Sequence, residues 1–91
     1  MPDKIIYYAV VGGSRTAETP YGLMRRLEFD GDGFADEALR KDFSWKFTPA
    51  IAEFERGDFS YELVQVGHAQ ASRIIEYFRE QWGPFGQPLD S

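Results

Sequence analysis

Arg25 and Arg26 stand side by side in a chain that also carries Arg15, Arg40, Lys41 and Lys46 in its first half. Basic groups beside sheet aromatics such as Tyr7, Tyr8, Phe43 and Trp45 are the equipment with which many single-strand binders hold nucleic acid. Against this, no glycine-aromatic motif of the RNA-binding type is present, and the net charge of −5 opposes non-specific adhesion to a polyanion. The charge is uneven. Residues 1–50 carry seven Lys/Arg against eight Asp/Glu, and residues 51–91 carry three against seven.

Other residue patterns that could do chemistry match less well. Gly12-Gly13-Ser14-Arg15-Thr16 follows an apolar run, and glycine-rich loops can cradle phosphate with backbone N–H groups. Neither the Walker pattern nor G-x-G-x-x-G is completed, so a plain connection between strands is the expectation. Asp30-Gly31-Asp32-Gly33 starts like a calcium loop, but the fifth, sixth and twelfth positions are Phe34, Ala35 and Lys41, where Asp/Asn, Gly and Glu are required. It reads as a hairpin turn. His68 is the single histidine, so a two-histidine metal site cannot form, and no nucleophile is set beside it by any motif. No cysteine is available for disulfides or thiolate ligands. No enzyme, cofactor or metal is expected.

The elements that would position these residues are read from periodicity. Residues 4–11 hold the apolar run Ile5 to Val11 without polar alternation, which suits a strand covered on both faces. Residues 12–22 form a loop. Leu23 to Asp30 alternates, which places Arg25 on the same face as Leu23, Leu27 and Phe29; an arginine there calls for a carboxylate such as Glu37 or an interface. Phe43, Trp45 and Phe47 alternate with polar residues, so a third strand is expected, with residues 35–42 either extending it or forming a helical turn. Thr48 as N-cap, Pro49 at the first position and Gly57 as stop mark a short helix. Tyr61 to Val66 is a further strand. Ala71, Ile74, Ile75, Phe78 and Trp82 fall on one stripe of a helix from His68 to Trp82, which Gly83 and Pro84 should end. Residues 85–91 read as a loose tail.

The fold expected is α+β in one domain, residues 1–84. A mostly antiparallel sheet of three to four strands carries two helices on one face, in the order β-β-β-α-β-α. Fifteen aromatic residues are many for 91 residues to bury. With one sheet face left open, self-association is the leading expectation. Tyr7, Tyr8, Val10, Met24, Arg25, Arg26 and Trp45 are the candidate contacts. An unidentified protein partner comes next, and nucleic acid held by Arg25 and Arg26 after it. The apolar run at residues 5–11 is too short to span a bilayer and lacks the basic flank and cleavage site of a signal peptide, so a cytoplasmic protein without membrane contact is expected.

Tyr7-Tyr8-Ala9, the run from Pro20 to Arg26, and Trp45 ahead of Thr48-Pro49 together resemble short uncharacterised bacterial proteins. The resemblance spans most of the chain. It implies a free-standing bacterial protein and brings no activity, ligand or site.

Overall fold

Five strands and two helices make an α+β fold among the residues described by the computed structural model, which are 2–86 other than 32, with backbone alone for 83–86. Strands β1 (Lys4–Val11), β2 (Gly22–Glu28), β3 (Phe34–Leu39) and β4 (Trp45–Phe47) precede helix α1 (Ala50–Arg56); β5 (Glu62–Val66) and helix α2 (His68–Gly86) follow. The strands form one antiparallel sheet in the order β4-β3-β2-β1-β5. The β-branched run Lys4–Val11 is the penultimate strand, paired on both sides over Tyr7–Val10.

Two features of the sheet and its covering layers differ from the sequence expectation. The third strand is two strands: β3 ends at Leu39, the chain reverses through residues 40–44, and β4 returns beside β3. Backbone bonds Phe43 N–H to Arg40 O and Arg40 N–H to Ser44 O close this turn, and Phe43 takes a positive φ of 64°. The helices, expected together, lie on opposite faces of the sheet. Ala9 and Val11 pack with Ala71, Ile74 and Phe78 of α2, whereas Val10 packs with Ile51 of α1 and Leu63. Successive residues of a strand point to opposite faces, and a strand apolar on both faces needs cover on both.

The helix ends follow their own chemistry. The Thr48 hydroxyl accepts the Ala50 N–H at 3.2 Å, one position before the cap residue Pro49. Gly57 takes φ 83°, and the Gly57 and Asp58 N–H groups bond the Phe54 and Glu53 carbonyls, a two-bond Schellman closure that only a residue tolerant of the left-handed region makes cheaply. Helix α2 does not stop at Gly83 but stays helical to Gly86, because a proline in a last turn forfeits only one intrahelical bond. Trp82, stacked on Phe78 at 4.0 Å between centroids and near Phe43, holds the preceding turn to the core. Of the expected tail, residues 85 and 86 belong to this helix, and 87–91 lie outside the described residues.

The β3–β4 turn yields a first prediction. The Asp42 carboxylate accepts the Ser44 hydroxyl at 2.6 Å and the Ser44 N–H at 3.0 Å. These bonds, the hydroxyl first, hold its pKa below the ordinary aspartate value. A depressed folded pKa means the stabilisation is present above the ordinary value and is lost as pH falls through the folded one. NMR titration should find the Asp42 carboxyl low and Ser44→Ala should return most of the shift; an Asp42 titration untouched by Ser44→Ala would contradict it.

Candidate functional site

Helix α2 starts beside Tyr7, where the His68 ring meets the Tyr7 ring edge-on at 5.1 Å, and ends at Phe43 in the β3–β4 turn. It therefore crosses the sheet towards the Val11 and Leu39 end and does not reach over the opposite end of that face, where Ile5, Leu27 and Ala35 are half-buried. Register brings Ile5, Leu27 and Ala35 directly abreast there on β1, β2 and β3. By strand alternation Phe29, just past β2, and Phe47 on β4 share the face. Phe29 and Phe47 are exposed, Phe47 to 75%. The result is a cross-strand apolar strip with two rings at its margin.

The expected contact residues divide between the two faces. On the α2 face, Tyr7, Arg25 and Trp45 form one cluster beside the strip. The Arg25 guanidinium lies 4.1 Å from the centre of the Trp45 ring and donates to Glu37, with Nη2–Oε1 at 2.7 Å. Tyr7 and Trp45 are 6.2 Å apart, tilted. The carboxylate partner that alternation called for at Arg25 is thus Glu37, directly opposite on β3.

On the α1 face, Tyr8, Val10, Met24 and Arg26 sit under or next to α1. Val10 is buried against Ile51 and Leu63, so it is a core residue rather than a surface contact; Tyr8 and Met24 pack against that cluster. Arg26 grips two carboxylates at once. Its Nε and Nη2 donate to the two Asp36 oxygens at 2.7 and 3.0 Å, and Nη1 and Nη2 to Glu55 at 3.0 and 3.3 Å. The Asp36 bond, seconded by Glu55 and opposed by burial, raises the Arg26 pKa above its ordinary value. The exposed Phe34 ring stacks on the same guanidinium at 4.4 Å. Burial raises the Tyr8 phenol pKa too. This group ties β2, β3 and α1 together. Sequence alternation located Arg26 on this face, but its partner Glu55 comes from a helix 29 residues away.

The glycine-rich loop is pinned rather than open. Arg15 donates to the Tyr77 hydroxyl at 3.1 Å and its guanidinium lies 5.1 Å from the Tyr21 ring centre, while Gln70 donates to the Ala17 carbonyl at 3.1 Å. Gly13 has φ 56°, and a Cβ there would press on the Tyr21 hydroxyl at 3.4 Å. Tyr21 leans on Tyr61, and Tyr61 on Phe59, at 5.2 and 5.9 Å. The positive φ values at Gly12 and Gly13 serve this packing.

Among the described residues, no group of three or more His, Asp or Glu is placed to hold a metal ion, and no buried side-chain nitrogen or oxygen lacks a partner. Surface depressions among the described residues include a groove of about 490 Å³ lined by residues 2–6 and 65–68 and one of about 370 Å³ along α2 at Ser72, Arg73, Glu76, Tyr77 and Glu80. No described helix is long and apolar enough to cross a membrane. Comparison with protein-family models, curated proteins and solved structures finds no match.

Proposed function

We propose that this chain is a small protein–protein interaction module of the cytoplasm that works as a homodimer and has no catalytic activity of its own. The observation that carries the interaction-module part of this reading is the half-buried apolar strip Ile5–Leu27–Ala35 with Phe29 and Phe47 exposed at its margin, beyond the reach of α2. An apolar surface framed by a fixed ion pair and an aromatic pair has the anatomy of an interface: an apolar centre, arginine and rings around it, polar groups outside. The Arg25–Glu37 pair and the Tyr7–Trp45 pair supply that frame. A protein partner covering the strip removes Phe47 from water.

The nucleic-acid alternative has less support. It asks Arg25 and Arg26 to act together beside sheet aromatics, whereas they point to opposite faces and each already holds a carboxylate. The Arg26 group, with Asp36 and Glu55, carries a net negative charge.

A photo-crosslinking phenylalanine analogue at Phe47, introduced in the native host, is expected to give a discrete covalent adduct with another protein. The same probe at the exposed Lys41, in the turn remote from the strip, should give none. Absence of an adduct at position 47, or the same pattern at both positions, would contradict the assignment of the strip.

A further inference from the structure

The two edges of the sheet are built differently. Edge strand β4 is three residues long, carries Lys46 at its centre and runs within two residues of its end into Pro49. Shortness, an edge lysine and a nearby proline are the devices by which proteins keep a sheet edge from pairing with other chains. Edge strand β5, Glu62–Val66, has none of them: five residues in regular pairing with Tyr7–Val11, and no lysine, proline or bulge. No strand lies beyond it among the described residues. Val64 at its centre is 39% exposed although its strand neighbour Ala9 is fully buried.

We propose that β5 is the seam of a two-fold homodimer, in which the β5 strands of two copies pair antiparallel about Val64 and join two five-stranded sheets into one. This rests on the homodimer reading above and sets the pair's seam at the sheet edge, which leaves the Ile5–Leu27–Ala35 strip of each copy to a separate protein partner. The sequence of the strand fits its own copy. With Val64 on the axis, Glu62 falls opposite Val66 and Leu63 opposite Gln65, so the strand's single charge meets an apolar residue and not its own image. Like charges directly opposite would repel, and β-branched pairs on a sheet face attract. One step further out, the half-exposed Tyr61 falls opposite Gly67 of the second copy, and the space where a Gly67 side chain would stand is empty. A symmetric contact demands this self-complementarity, and an unrelated strand would not need it. Five residues make a seam only about 17 Å long. The buried area then lies near the low end of specific interfaces, about 1,200 Å² or less, and a dimer of micromolar strength is expected.

Light scattering coupled to size exclusion, over a concentration series, tests the seam with Val64→Lys, Val64→Glu and their equimolar mixture. Wild type is expected to move from one to two chain masses as concentration rises. Each variant alone sets like charges face to face on the axis and should dimerise at least ten-fold more weakly; the mixture should recover a heterodimer. Wild type that stays monomeric overturns the homodimer reading and the seam together. Wild type that dimerises while both variants dimerise equally well overturns the seam alone. Amide exchange on the wild type needs no substitution: protection across Glu62–Val66 should rise with concentration, and a doubled mass without that protection overturns the seam.

Discussion

Replacing Arg26 by alanine should lower the unfolding free energy by about 3 kcal/mol in urea denaturation, within the range for removing one partner of a buried ion pair. Asp36 is only 5% exposed and loses both of its guanidinium bonds at once. It is left either charged in a poorly solvated position or protonated, and both states cost free energy relative to the paired one. Glu55 is half exposed, so its share returns to water and adds little. The stacking of Phe34 on the guanidinium is lost too. Substituting Asp36→Leu in the Arg26→Ala background should recover much of the loss, since the orphaned charge and not the missing attraction dominates. A single-variant loss under about 1 kcal/mol would mean that water reaches Asp36 and that the clamp is an ordinary surface pair.

The second large effect is expected at Phe78. This ring is 1% exposed and packs among Ala9, Leu23, Leu39 and Ile74, with the Trp82 ring parallel to it. Phe78→Ala removes a ring from the centre of the α2 side and leaves a cavity that the sheet, held by its own hydrogen bonds, cannot close. Such changes cost about 3–5 kcal/mol. At about 0.05–0.15 kcal/mol per residue, the 91-residue chain is stable by about 5–14 kcal/mol, so the variant should lose a large share of its stability. Phe78→Leu keeps most of the volume and should cost about 1–2 kcal/mol. Chemical denaturation followed by tryptophan fluorescence reads both, because Trp82 reports on this contact directly. A cost for Phe78→Ala below about 1.5 kcal/mol would contradict the core assigned to α2.

The sequence was most readable where periodicity and punctuation act locally. Alternation over residues 23–30 placed Arg25 on the Leu23 face and pointed to Glu37, and the register puts Glu37 directly opposite it. Ala71, Ile74 and Phe78 are buried as their 3.6-residue spacing required. The break between β3 and β4 was hidden because Phe43, a bulky residue, takes the positive φ that glycine or asparagine usually signals. The apolar character of β1 on both faces already implied cover on both, but which helix goes where depends on the crossover after β4, which no local pattern encodes. Gly83-Pro84 is a strong local stop that predicts an earlier end for α2, overridden here by the packing of Trp82 one residue before it. Of the candidate contacts, Tyr7, Arg25 and Trp45 come together beside the strip. The strip's own members, Ile5, Leu27, Ala35, Phe29 and Phe47, could be found only from the three-strand register and the path of α2.

Sedimentation equilibrium of the unmodified chain over a concentration range tests most directly whether the working unit is a pair. A dimeric interaction module predicts a mass that climbs from 10.4 kDa towards twice that value as the protein reaches high micromolar concentration. A mass that stays at 10.4 kDa across the whole range would contradict it.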